Sequence, residues 1–254
     1  MITEQQRNTG SQSGPDDRKI PADDHVLASH AMDFLGSGTR RLDLHWHLLP
    51  DSCWSYVDDG LWDRAAVDRV GEFAVRVLDP TDQLLHICAH GPRWEPVPPI
   101  RWIADAEAVL ARSDGGIDWD RLVEEAAAHR VTLPVLDALS YLRETFGLPI
   151  PAQTLEQLRQ VPVRASERWA YRLRTRPATR LFGRFPEHWL RYRSLRRGWE
   201  AERRIGFVRY LEIVLGCDGA WTLAHRALFR ERWRRQSRDL MEEYARQFHP
   251  AVPP

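Results

Sequence analysis

The sequence predicts an α+β fold with a helical majority, in which a small antiparallel β element precedes a long run of helices. Three observations carry that expectation. Residues 40–49, RRLDLHWHLL, alternate apolar and polar side chains with the period of a strand. From about residue 81 onward the apolar residues recur at helical spacing between capping residues, glycines and prolines. No internal repeat interrupts this order.

Taken in order, residues 1–24 are polar, rich in Gln, Ser, Asp and Gly, and lack a hydrophobic period that could offset the entropy of ordering, so they read as a disordered tail. A first strand is expected near 29–35, a turn at Gly36-Ser37-Gly38-Thr39, and a returning strand at 40–49, together a β-hairpin at the edge of a larger sheet. Residues 61–73 read as a loop or short helical stretch, and Val75-Arg76-Val77-Leu78 as one more short strand. The block beginning at Thr81 opens a helix that places Leu84, Leu85 and Cys88 on one stripe and ends at Gly91, followed by a proline-rich connector over 92–99. Further helices are expected at 100–112, 118–129, 134–146 and 152–160. After them come an Arg- and aromatic-rich region at 164–204 and two amphipathic helices at 205–215 and 220–248.

Composition narrows the function classes. Hydrophobic residues at 43% and charged residues at 28% describe a globular chain, and 36 Lys+Arg balance 36 Asp+Glu, so net charge favours neither nucleic acid nor membrane as partner. Cys53, Cys88 and Cys217 are odd in number and far apart, which offers no disulfide framework and no CxxC metal knuckle. With no signal-peptide core at the start, and with the longest apolar run, 205–215, broken by Arg209 and Glu212, the expectation is a soluble cytoplasmic protein. The arginines at 164, 168, 172, 174, 176, 180 and 184 interleave with Trp169, Tyr171 and Phe182. In a chain whose single lysine is Lys19, they read as a solvated helical face ahead of a nucleic-acid surface, and a grip on polyphosphate or on an acidic partner is the remaining role.

The chemistry concentrates at residues 42–48. Strand alternation assigns Leu42, Leu44, Trp46 and Leu48 to an apolar core face and Asp43, His45 and His47 to the opposite one. Aspartate is disfavoured within strands, so its central position suggests a use. The reading requires Asp43 to project into a pocket able to hold a divalent cation. A zinc site from Asp43, His45 and His47, or a simple ion pair of Asp43 with a neighbouring arginine, are the alternatives.

Four blocks, LDLHWHLLP, DPTDQLLHICAHG, PPIRWIADAEAVL and GGIDWDRLVEEAAAHRV, taken in this order and spacing, resemble the uncharacterised nucleotidyltransferase family, a minimal polymerase-β-like group. The resemblance covers about residues 25–146. It implies that residues 25–80 form part of a nucleotidyltransferase sheet, that 81–160 form a helical substrate-side region, and that 161–254 add an Arg-rich helical region. It implies transfer of a nucleotide from a nucleoside triphosphate to an unknown small-molecule or protein acceptor with Mg²⁺, because hard cations held by carboxylates neutralise the phosphates and align the reacting oxygens. Asp43 would be the third carboxylate, as metal ligand or base, and His45 would contact phosphate or acceptor. His90, at a helix end, and Arg101 and Asp105 would face substrate, unless His90 is a helix C-terminal cap and Arg101 and Asp105 an ion pair four residues apart.

The sequence departs from the family pattern upstream of Asp43, where a Gly-Ser turn and an Asp-x-Asp are expected. Asp16-Asp17 and Asp23-Asp24 are adjacent pairs, Gly36-Ser37 has no paired carboxylates after it, and Asp118-Trp119-Asp120 reads as a helix start with Asp118 as N-cap. The expectation is therefore a chain that begins after the catalytic half: truncated, degenerate, or one part of a split enzyme whose carboxylates come from a separate chain. The alternative is a non-catalytic binding or regulatory module on the same fold.

Overall fold

The protein, described by a computed structural model, is accounted for over residues 22–35, 41–50, 52–54, 56–91, 100–175, 185–199, 204–216 and 219. Two compact units divide the chain, 1–204 and 205–254. Among the described residues of the first are helix α1 (Ala22–Ala28), strands β1 (Ala31–Leu35) and β2 (Arg41–His45), α2 (Asp59–Arg64), and strands β3 (Ala66–Val70) and β4 (Phe73–Val77). Seven helices follow: α3 (Pro80–His90), α4 (Arg101–Arg112), α5 (Trp119–Ala128), α6 (Thr132–Phe146), α7 (Ala152–Gln160), α8 (Ala165–Arg174) and α9 (Phe185–Leu195). The second unit contains α10 (Phe207–Leu215), amphipathic, with Tyr210, Leu211 and Ile213 buried and its end turned by Gly216 at φ +57°. The fold is α+β and mostly helical, as the sequence predicts.

Each hairpin is a two-stranded antiparallel ribbon of its own, β1 with β2 and β3 with β4. In the first, Asp33 pairs with Asp43 and Met32 with Leu44. In the second, Val70 pairs with Phe73 across the turn at Gly71, whose φ of +62° is accessible to glycine at little steric cost. Strand β3 departs from the expected loop. Its five residues are all exposed, so Val67 and Val70 leave no alternation of buried and polar positions to read. The turn 36–39 of the first hairpin and the helix expected at 220–248 lie outside the described residues.

The core is a helical assembly. Leu84, Leu85 and Cys88 of α3 pack with Trp102, Ala106 and Leu110 of α4, Leu122 and Ala126 of α5, Val135, Leu139 and Leu142 of α6, and Leu155 and Leu158 of α7. Helix α3 sits at its centre, and burial pushes the Cys88 thiol up to about 12, which leaves it an inert apolar filler. The cap of α3 is Asp79, whose carboxylate accepts from the Asp82 N–H, two residues ahead of the expected start at Thr81. Gly91 closes α3 against α4 so tightly that a Cβ there would lie 2.3 Å from Trp102 Cβ. Asp118 caps α5 by accepting from the Arg121 N–H, as expected. Helix α6 begins at Thr132, two residues earlier than its proline suggests, because proline is tolerated in the first turn.

One charged cluster ties this core together. Arg64, at the end of α2, reaches Asp82 of α3 with Nε at 3.0 Å and Nη2 at 3.2 Å, and places Nη2 2.7 Å from Glu125 of α5. The Asp82 side chain is 0% exposed, so its charge depends on that guanidinium. Arg121 adds a 2.7 Å pair to Asp79. Burial pushes Asp82 above the ordinary aspartate value against the pull of Arg64. Glu125 goes the other way: the His129 ring first, and Arg64 after it, hold it below the ordinary glutamate range. His129 Nε2 stands 3.4 Å from Glu125 Oε2, an ion-pair approach too poorly aligned for a full hydrogen bond.

Removing Arg64 leaves the buried Asp82 charge unpaired, and Arg64→Met is expected to lower stability by about 3–5 kcal/mol, read by urea unfolding at pH 7. A depressed folded value means that Glu125 stabilises above its unfolded pKa of about 4.3 and that this contribution is lost as pH falls through the folded value. Asp82, raised, has the opposite sign and offsets part of that loss. Glu125→Gln should therefore be less stable than wild type at pH 7 and converge toward it as pH falls below about 4. Parallel stability curves across that range would contradict the assignment.

Candidate nucleotide-handling site

The chemical face expected around Asp43 is assembled in part. Asp43 Oδ2 lies 2.8 Å from His45 Nε2, and the two side chains are 56% and 35% exposed respectively. The pair therefore stands on an open surface, and among the described residues no enclosed pocket forms around Asp43. The reason is visible one face away. Leu42 and Leu44, expected in the core, are 60% and 50% exposed. The two-stranded ribbon is not packed down by either face, so neither set of side chains is enclosed by the described residues.

His47 leaves the constellation. Strand β2 ends at His45, and the bend after it turns His47 to Asp58, with Nδ1 2.8 Å from Oδ2. The Leu48 N–H reaches the other Asp58 oxygen at 3.4 Å. Asp58 occupies the N-cap position of α2 but makes no capping bond there, because its carboxylate is engaged by the chain leaving the hairpin. The zinc arrangement of Asp43, His45 and His47 does not form, and among the described residues no group of three or more metal-binding side chains is assembled. Trp46, expected in the core, is half-buried and donates Nε1–H to the Ser29 carbonyl at 3.0 Å.

Two residues that sequence reasoning did not single out join the pair. The His30 ring meets His45 edge to face, centroids 5.1 Å apart. Arg191 of α9 places Nη2 2.9 Å from His30 Nδ1. A guanidinium only donates, so His30 Nδ1 accepts and the ring is neutral. Burial first, then the Arg191 charge, lower His30 to about 3, with His45 and His90 adding to the effect and Asp43 opposing it. Helix α9 is held in place by Trp199, whose Nε1–H donates to the Leu27 carbonyl of α1 at 3.1 Å, and by the Tyr192–Trp199 ring contact. The bare alternation pattern could not show this, because His30 precedes the strand and Arg191 is 161 residues away from it.

The three residues expected to face substrate are separated. His90 stacks on His86 of the same helix, ring centroids 5.1 Å apart. Asp105 instead lines a groove of about 410 Å³ between α3 and α4, with Gln83, His86, Arg112 and Ser113. Arg101 is exposed at the start of α4 and forms no ion pair with Asp105, so the expected helical pair is absent. Both side chains extend from an exposed helix surface, where such a pair gains little.

The sequence model of the family described as uncharacterised nucleotidyltransferase matches residues 7–147, more than half of the chain, and the chain belongs to that family. Among curated proteins and among solved structures, nothing matches it. Among the described residues no helix is long and apolar enough to cross a membrane.

The tie between hairpin and helices is testable. Asp58→Ala removes the acceptor of both His47 and the Leu48 N–H, and the amides of β1 and β2 are expected to exchange about tenfold faster while those of α3 and α6 are unchanged. Equal protection of the hairpin in both proteins, read by hydrogen exchange, would show that Asp58 does not anchor it.

Proposed function

We propose that this protein binds a magnesium–nucleoside triphosphate complex at the Asp43 corner and, where it is active, transfers the nucleotide to a hydroxyl or phosphate of a small-molecule or protein acceptor. The observation that supports this reading is the carboxylate of Asp43, open on the hairpin face and steadied by His45 at 2.8 Å, in a chain of a nucleotidyltransferase family. Mg²⁺ prefers oxygen ligands and commonly keeps several waters while taking one or two protein carboxylates together with substrate phosphates. Among the described side chains no group of three metal-binding ligands is assembled, and Asp33 stands opposite Asp43 in the hairpin register, so a cation that arrives with the triphosphate suits this face. Asp43 would hold the ion, whose chemistry is to neutralise phosphate charge. His45 orients the carboxylate and presents its ring to phosphate or acceptor. His90 would meet substrate from the end of α3, and Arg101 and Asp105 are the residues through which an acceptor would be met on the α4 surface.

A second reading is a binding or regulatory module on the same fold that holds the triphosphate without transferring it. In-line transfer benefits from two cations and more carboxylates than Asp43 alone, so a transferase would draw further ligands from beyond the described residues, for example from a separate chain.

Calorimetry with ATP, GTP, CTP and UTP distinguishes these outcomes. At least one triphosphate is expected to bind with Mg²⁺ and to lose about tenfold in affinity, about 1.4 kcal/mol, when EDTA is present or when Asp43→Asn is substituted. Mg²⁺ alone should give no measurable heat. Binding that ignores both the metal and Asp43 would remove the proposed role, and turnover of the bound triphosphate would decide between transferase and module.

A further inference from the structure

Arg191 lies outside the family match and outside every motif of the sequence, yet its geometry is that of a binding group with spare donors. A guanidinium carries five N–H groups. One Nη2 hydrogen goes to His30 Nδ1 at 2.9 Å, and no carboxylate pairs with the arginine among the described residues. Its Nε–H is buried without an acceptor. After the bond to His30 the guanidinium keeps further N–H groups on its two Nη atoms, and phosphate oxygens accept such a fork of donors strongly. His30 cannot fill that role, because a neutral ring offers one acceptor atom and no charge. It acts as a prop, holding the guanidinium beside His45 and hence beside Asp43.

We infer that Arg191, propped by His30, forms an oxyanion site that takes a phosphate group of the substrate next to the His45–Asp43 pair. The inference deepens the nucleotide-binding reading above and rests on it. It adds that a residue of α9 completes the site, so the helices beyond the family match take part in binding. The arrangement separates the work by charge. Asp43 attracts a cation and Arg191 attracts an anion, and His45 and His30 link the two through their contacts. The phosphate has two possible sources, the polyphosphate of the donor nucleotide or a phosphate monoester on the acceptor, and both present the same oxygens to the fork.

The test is calorimetry on the full chain in EDTA at low salt, with sodium tripolyphosphate and with inorganic phosphate as separate probes. Wild type is expected to bind tripolyphosphate without metal, Arg191→Met to bind it about tenfold more weakly, and Arg191→Lys to fall between, since lysine keeps the charge but not the fork. Asp43→Asn, which removes a nearby negative charge, should bind it as well as wild type or better. A clear preference for tripolyphosphate assigns the donor's polyphosphate, and equal affinity for the two probes assigns a monoester on the acceptor. Unfolding curves for each variant accompany the titrations. If Arg191→Met does not fold, Arg191→Lys alone decides, with weakened binding in a folded protein as the supporting result. No binding by folded wild type, or equal binding by wild type and the folded Arg191 variants, overturns the inference. Loss of magnesium dependence with Arg191-dependent tripolyphosphate binding intact would sink the metal role of Asp43 and leave the oxyanion site standing.

Discussion

The contact on which the described structure most depends is the grip of Arg64 on Asp82 and Glu125. It joins the end of α2 to α3 and α5 at once, and it neutralises an aspartate with no exposed surface. Buried ion pairs of this kind add little net stability compared with an apolar replacement, yet they are intolerant of losing one partner, so they fix which helix faces which. Here that specificity reaches the site. The opposite end of α2 is Asp58, which receives His47 and the Leu48 N–H from the chain leaving β2. A helix of six residues thus ties the hairpin to the helical core at one end and is clamped into that core at the other.

This arrangement explains why the candidate site is built from distant pieces. The hairpin supplies Asp43 and His45, the bend before it supplies His30, and α9 supplies Arg191. None of these side chains belongs to the apolar core, so the core's role is to hold the elements that carry them. The open face of the ribbon follows from the same economy: two strands tethered at one end present both faces to their surroundings, and an exposed carboxylate and exposed leucines are the two sides of one fact.

The helical part was largely legible in the sequence because its signals are local. Residues 152–160 were bounded by proline and periodicity and fold as α7 over the same span. Asp118 reads as a cap and is one. The hairpin was legible in its alternation at 41–45, but the direction of burial was not, since alternation identifies two faces and cannot say whether either is covered. Strand β3 was missed for the same reason in reverse: an exposed ribbon has no buried side to create a pattern. At the site, Asp43 and His45 were found because they share a strand face. His47 leaves that face because the strand ends at His45 while the alternation of the sequence continues to Leu48. His30 and Arg191 meet only through tertiary structure, where sequence spacing carries no signal.

The most direct test of the account is where a triphosphate sits. Mn²⁺ in place of Mg²⁺ broadens nuclear magnetic resonances of groups near it, so a titration of isotope-labelled protein with Mn²⁺–ATP maps the site on the chain. The account predicts selective broadening of β2 around Asp43 and His45, of His30, and of α9 around Arg191. Broadening centred instead on the groove of Asp105 and Arg112 between α3 and α4, or none beyond that caused by free Mn²⁺, would contradict it.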